Sequence, residues 1–445
     1  EGCARGSWTY THLASVQELI QQAAEKELIN PAEFIPELVA ALHGSMCPVA
    51  LRALTAFGAA NGAELAAQLP EMYKVLGPGG TNAGGTAAVQ LERERLICQL
   101  LQRLISSTRK PLSSDAWDQI WAFSQHATHV VVSAFAHCQV PPEWYGAAQA
   151  AMDLSFDMAM AANGRSEAAL LSPDKVWEQI LNRMICGLLR QREGTAAAPI
   201  MDGARAEGSE GESMVPPSEA EAIMPAEPAE ACKVSLPQLG CAVFLSGHLA
   251  LRMLVFLEGL QSALKKKRLA DEDARVAEQR EKNSKKKTGK KGKGKGDKEE
   301  EEDDAAQASS MGMAGQEERE ADAFAEIAEH ALLYGAKSLL DRVKPLIFSC
   351  LLDPELRKDP ILRRTGAISL CKFMTVSKRF CEENLQILFS ILFPKGRDAP
   401  LSAMADAQDM AQDLAANANR SGTLFEDLTL RQSLLVAVGD LLFRH

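Results

Sequence analysis

Eight consecutive residues, Gly79-Gly80-Thr81-Asn82-Ala83-Gly84-Gly85-Thr86, have the glycine spacing of a loop that cradles phosphates. Such a loop needs a lysine that reaches the β/γ-phosphates and a buried strand in front of it. Here Gly85 stands where that lysine would be, and no strand pattern precedes it. The run reads as a flexible loop. His126, His129 and His137-Cys138 place imidazoles and a thiol in one helical stretch, with His126 and His129 sharing a face. Zinc wants four converging ligands, but the cysteines are isolated, so these are helix-face side chains. Ser246-Gly247-His248 sets a hydroxyl near an imidazole, yet it lacks the nucleophile-elbow pattern and lies in an apolar helix. Nothing assembles nucleophile, base and oxyanion stabiliser. No catalytic residue, metal, cofactor or small-molecule substrate is expected.

Charge is the better lead. Lys265, Lys266, Lys267 and Arg268 open a basic run that continues through Lys285, Lys286, Lys287, Lys290, Lys291 and Lys293. Lysines without aromatic neighbours cannot read bases, but they release counterions from a duplex and bind it without sequence preference. The same residues would serve as a solvated spacer, partly neutralised by Glu299–Asp304, or as a nuclear-import signal. All three readings stand. Arg363, Arg364 and Arg431 could meet phosphates on the inner face of a helical array, or pair with acidic neighbours. The net charge of −11 excludes a uniformly basic surface, so any contact with double-stranded DNA is local.

The elements that would hold these residues are helices. Apolar content is 46 % but aromatic content only 5 %, and alanine and leucine, the strongest helix formers, carry most of it. Alternating β-branched runs are nearly absent. Asn30-Pro31-Ala32-Glu33 is a helix start: Asn suits the N-cap, Pro the first turn, and Glu reaches back. Helices are predicted over 30–42, 48–60, 63–76, 91–106, 116–138, 172–190 and 236–264, and again from Phe324. Pro36, Pro70 and Pro345 fall inside helical patterns and should bend them. The most apolar stretch, Cys241–Leu260, carries His248, Arg252 and Glu258 and is too polar to span a bilayer, so no membrane is expected. Ten cysteines occur singly, several on apolar faces (Cys98, Cys186, Cys350, Cys371), as small buried hydrophobes of a reducing compartment. The chain starts at Glu1 and stops at His445 within a helical pattern, as a fragment would.

A repeat emerges near the end. Ala367, Leu370, Cys371 and Met374 form an i, i+3, i+4, i+7 stripe, and Leu385, Leu388, Phe389 and Leu392 form a second. Laying Leu362-Arg363 on Leu430-Arg431 sets the first stripe over Leu435, Val438, Gly439 and Leu442. Without the polar stretch 395–427 the two aligned helices recur at about 40 residues, the period of HEAT-type helix pairs. The predicted fold is all-α: a HEAT-type α-solenoid interrupted by disordered insertions. Its parts are repeats over 1–76, a Gly-rich loop over 77–90, repeats over 91–192, and a disordered linker over 193–231. A helical hairpin over 232–264, a disordered basic and acidic insertion over 265–320, and repeats over 321–394 follow. A disordered insertion over 395–427 and a truncated helix over 428–445 complete it.

Three blocks resemble the condensin subunit 1 family, the HEAT-repeat regulatory subunits of condensin. They are YGAKSLLDRVKPLIFSCLLDPELRKDPILRRTGAISLCKFMTVSKRFCEENLQILFSIL, then LRQSLLVAVGDLLFRH, and, more weakly, LPQLGCAVFLSGHLALRMLVFLE. Together they cover about a quarter of the chain. The 395–427 insertion is longer than the family usually shows, and the Lys-Gly tract matches no family motif. The corresponding subunit of the second condensin shares the Lys372-Phe373-Met374 and Gly439-Asp440-Leu441 texture, so which condensin is meant stays open, with the first favoured by GHLALRMLVFLE. The resemblance implies a non-catalytic scaffold that binds the kleisin subunit, contacts DNA and chromatin, and works with SMC ATPase subunits in mitotic chromosome condensation. It also implies a location in the nucleus and on mitotic chromosomes, and partly in the cytoplasm. A second reading is a HEAT-type adaptor of the nuclear import receptor kind, whose acidic inner surfaces would suit the net charge.

Overall fold

A computed structural model describes residues 10–26, 28–44, 47–58, 61–80, 85–108, 112–136, 140–162, 173–193, 235–287, 318–335, 338–392 and 423–445. The described residues contain helices and no strand. The helices are α1 (Tyr10–Glu25), α2 (Pro31–Ala40), α3 (Cys47–Gly58), α4 (Gly62–Ala67), α5 (Leu69–Leu76), α6 (Ala87–Ser107), α7 (Ser114–Ala136), α8 (Glu143–Ala161), α9 (Pro173–Glu193) and α10 (Leu236–Lys287). After them come α11 (318–334, with a π-turn at Ile327–Ala331), α12 (Leu339–Leu352), α13 (Pro360–Val376), α14 (Lys378–Leu392) and α15 (Thr423–Arg444). The linker 194–231, the Lys-Gly tract from 288 onward and most of the 395–427 insertion lie outside the described residues.

Local chemistry sets the boundaries. Asn30 caps α2, its Oδ1 accepting from Ala32 N at 3.2 Å while its Nδ2 donates to Glu33 at 2.9 Å. Pro36 and Pro345 lie inside helices, as predicted. Pro70 does more than bend: it sits in the first turn of α5 and divides the single helix predicted over 63–76 into α4 and α5. A proline has no N–H to continue the preceding helix but suits a first turn. The alanine-rich α8, which no predicted helix covers, lies deep in the fold, with Trp144, Ala148, Ala151, Met152 and Leu154 wholly buried.

The chain divides into two compact units, one of residues 1–249 with 346–369, the other of 250–345 with 370–445. In the first, helices pack as pairs in succession: α6 against both α3 and α8, with α7 against α5, α6 and α8. The start of α10 continues this order, packing on α8 through Tyr145 and Phe244 (ring centroids 5.1 Å). Helix α13, from Leu362 to Ser369, then packs on α10. Helix pairs stacked side by side are the pattern of a helical repeat array.

In the second unit the Glu329 carboxylate, carried by the π-turn, closes the N-terminus of α14. It accepts from Ser377 Oγ at 2.7 Å, Lys378 N at 2.8 Å and Arg379 N at 3.3 Å. Burial alone would raise the Glu329 pKa, but these donors hold it below the ordinary carboxylate value.

Three expectations need correcting. Helix α10 is one continuous helix from Leu236, where a hairpin over 232–264 was predicted, and it does not end at 264: it runs through Lys265–Lys287, where a disordered insertion was predicted. Lys, Arg, Ala and Glu are good helix formers, and Lys267–Asp271, Arg268–Glu272 and Asp271–Arg275 stand at i, i+4, so the segment supports itself without a buried face. Second, the buried stripe of α14 is Phe380, Cys381, Asn384, Leu388 and Leu392, whereas Leu385 and Phe389 are 39 % and 42 % exposed. Third, α15 buries Leu430, Leu434 and Leu441; Leu435 and Leu442 are exposed, and Val438 is half-buried. Ala367, Leu370, Cys371 and Met374 of α13 are buried. Cys98 and Cys350 are buried too, but Cys186 is exposed.

Candidate functional site: the α10–α13 junction and the basic positions

Glycine governs how closely α10 and α13 approach. A Cβ built on Gly247 would lie 2.6 Å from Ser369 Oγ and 2.8 Å from its Cα. Ser369 uses that closeness to donate its hydroxyl to the Val243 carbonyl at 2.8 Å. About two helical turns earlier, a Cβ on Gly240 would come within 3.1 Å of the Tyr145 hydroxyl and 3.5 Å of Leu362. Gly366 of α13 opens in turn toward Cys350 and Leu351 of α12, at 3.2 Å each. Small residues at these positions let backbones meet where a side chain would wedge them apart.

The polar groups here are bonded for structure. Ser246 is buried and donates to its own helix at Val243 O, 2.7 Å away. His248 turns to α8, its Nε2 2.8 Å from Asp153 Oδ1, rather than to Ser246. Tyr145 shares a hydrogen bond with Cys241; burial pushes the Cys241 thiol up to about 12 and raises the Tyr145 phenol as well. Neither group is a nucleophile at neutral pH. The apolar part of α10, within Leu236–Glu278, is long and apolar enough to cross a membrane, and 61 % of that window is buried inside the protein.

The other chemical candidates are placed as follows. Gly79 and Gly85 have positive φ (+83° and +141°), and Thr86 caps α6 by accepting from Val89 N; residues 81–84 lie outside the described residues. His126 points at the buried Glu94, 3.8 Å away, while His137 and Cys138 lie outside the described residues. Among the described residues no group of three or more His, Cys, Asp or Glu is arranged to hold a metal ion.

Sequence reasoning missed the charged groups of α6. Arg52 and Arg95 share the Glu92 carboxylate at 2.6 Å each, and Gly146 of α8 leaves the room that Arg95 occupies. Beside them Glu94 is 1 % exposed and paired with Arg93 at 3.0 Å. Its Oε2 has no hydrogen-bond partner. Burial raises the Glu94 pKa against the opposing pull of Arg93. The alternating signs of Glu92-Arg93-Glu94-Arg95 were the available signal, but nothing local says that Glu94 faces inward.

Of the predicted nucleic-acid contacts, Lys265, Lys266 and Lys267 are exposed on α10. Arg268 is half-buried and paired with Glu320 of α11 at 3.0 Å, so its charge is already answered. Lys285, Lys286 and Lys287 form the last turn of the same helix, roughly 30 Å further along at 1.5 Å per residue. Lys290, Lys291 and Lys293 lie outside the described residues. Arg363 is half-buried and Arg364 exposed on α13 in the first unit; Arg431, half-buried on α15, belongs to the second with the α10 lysines.

Comparison with known proteins adds a direction. The chain is 28 % identical over 152 residues to "Condensin complex subunit 1" of Saccharomyces cerevisiae, covering 34 % of this chain and 12 % of that protein. It is 30 % identical over 150 residues to "Condensin complex subunit 1" of Schizosaccharomyces pombe, covering 34 % of this chain and 11 % of the relative. "Condensin-1 complex subunit CAP-D2" of Arabidopsis thaliana matches at 26 % over 155 residues, 34 % of this chain and 10 % of that protein. The similarity to condensin complex subunit 1 is distant and partial. No family model matches the chain. The chain thus spans about a tenth of the length of these condensin subunits.

Proposed function

We infer that this chain is part of a non-catalytic, condensin-related scaffold subunit. It would bind the kleisin subunit along its helical array, assist the SMC ATPase subunits, and touch DNA locally, in the nucleus and on mitotic chromosomes. The observation that supports this most is the similarity to condensin complex subunit 1 in fungi and a plant. The packing agrees with it: two of the three condensin-like sequence blocks, around Gly240–Gly247 and Leu362–Ser369, pack against each other across the α10–α13 junction. The chemistry agrees too, since Ser246, His248 and the Cys241 thiol of that junction are buried in structural bonds. Phosphate contact is assigned to the exposed Lys265–Lys267 turn and the lysines beyond it.

Duplex binding by the whole chain, followed against salt, tests the DNA part. The affinity should fall steeply with salt, and Gln at Lys265–Lys267 should flatten the log–log slope by about 0.9 per lost phosphate contact. A salt-independent affinity, or one unmoved by these substitutions, contradicts it.

A further inference from the structure

The turn between α12 and α13 ties its acids into local bonds and leaves two arginines and two aliphatic side chains exposed. Asp353 accepts from Glu355 N at 2.8 Å, and Asp359 caps α13 by accepting from Leu362 N at 2.9 Å. Glu355 is paired with Lys358 at 2.6 Å. Arg357 and Arg364 are exposed, and among the described residues neither side chain has an ion-pair partner. Leu352, the last residue of α12, is 58 % exposed, and Ile361, in the first turn of α13, is 51 % exposed. Ile361 and Arg364 are three residues apart and share a face of α13.

Such a surface suits a protein better than a nucleic acid. Phosphates would answer the two arginines but leave Leu352 and Ile361 in water, whereas a peptide can cover both. We propose that the turn end of the α12–α13 hairpin docks a peptide segment in which Asp or Glu flank aliphatic side chains. The acids meet Arg357 and Arg364, and the aliphatic groups cover Leu352 and Ile361. This rests on the scaffold reading only in taking the partner at this end to be a protein.

The test uses the full chain and phage-displayed random dodecapeptides, with the selected sequences resynthesised and measured by fluorescence anisotropy. Peptides combining acids with aliphatic residues should be enriched, and should bind about tenfold more weakly to R357E/R364E and to L352S/I361S. Exchanging their acids for lysine should restore binding to R357E/R364E. All four side chains are exposed, so melting temperatures should match the parent; if R357E/R364E melts lower, R357Q/R364Q replaces it. Failure to enrich such peptides, or equal binding to both variants, overturns the proposal. So does a 20-base-pair duplex whose binding drops with R357E/R364E but not with L352S/I361S, since that marks plain phosphate contact. Any of these results leaves the salt-dependent duplex binding of the α10 lysines, and with it the scaffold reading, standing.

Discussion

Ser369 of α13 donates to the backbone carbonyl of Val243 on α10, 2.8 Å away and 126 residues apart in sequence. The bond forms because Gly247 has no side chain to hold the two helices apart.

Gly247→Ala should therefore destabilise the protein although alanine is the better helix former. Its Cβ would meet Ser369 atoms at 2.6–2.8 Å, one of them backbone, so a helix must shift. Overpacking of this kind costs about 1–3 kcal/mol. Gly439→Ala is the control: nothing lies within 4 Å of its Cβ position, and helix propensity predicts a gain of up to about 1 kcal/mol. Urea denaturation of both variants checks the opposite signs.

Glu94 predicts a pH dependence. Its folded pKa is raised, so between the ordinary carboxylate value and the folded one the native state holds more protons than the unfolded chain. Stability then falls as pH rises through that window. His126 works the other way: burial, Arg93 and His129 lower its pKa, so its contribution rises with pH up to the ordinary histidine value. Glu94→Gln removes the first effect, together with the 3.8 Å contact to His126. Across the mildly acidic range its denaturation midpoint should gain on the parent's as pH rises.

Glu329 supplies the opposite sign. A depressed folded pKa gives stability that is fully present above the ordinary carboxylate value and is lost as pH falls through the folded one. Glu329→Ala should cost about 0.5–1 kcal/mol at neutral pH, as lost caps do, and the difference from the parent should shrink in acid. Parallel denaturation curves at neutral and acid pH read it.

The all-helical fold and the buried stripe of α13 were legible because Ala367, Leu370, Cys371 and Met374 repeat at helical spacing beside polar residues. The faces of α14 and α15 were not. LLVAVGDLLF is apolar around most of the helix, so periodicity could not choose between Leu435 and Leu434; on α14 the apolar pattern favoured Leu385, whereas the polar Asn384 is buried with its Nδ2 donating to Phe380 O at 2.8 Å. Charge composition likewise misled at Lys265–Lys287, where helix propensity and i, i+4 pairs outweigh the absence of a core face. The lysines and arginines themselves could be named from sequence, but the pairing of Arg268 with Glu320 and the meeting of Gly247 with Ser369 could not, because both depend on contacts between helices distant in the chain.

Co-expression of this chain with the kleisin and SMC subunits of a condensin, followed by affinity purification and size-exclusion chromatography, tests the central claim most directly. A scaffold subunit should co-elute with the kleisin in fixed stoichiometry and bring the SMC proteins with it. Recovery of a small GTPase and basic cargo, with neither kleisin nor SMC protein retained, would contradict the account and favour a transport adaptor.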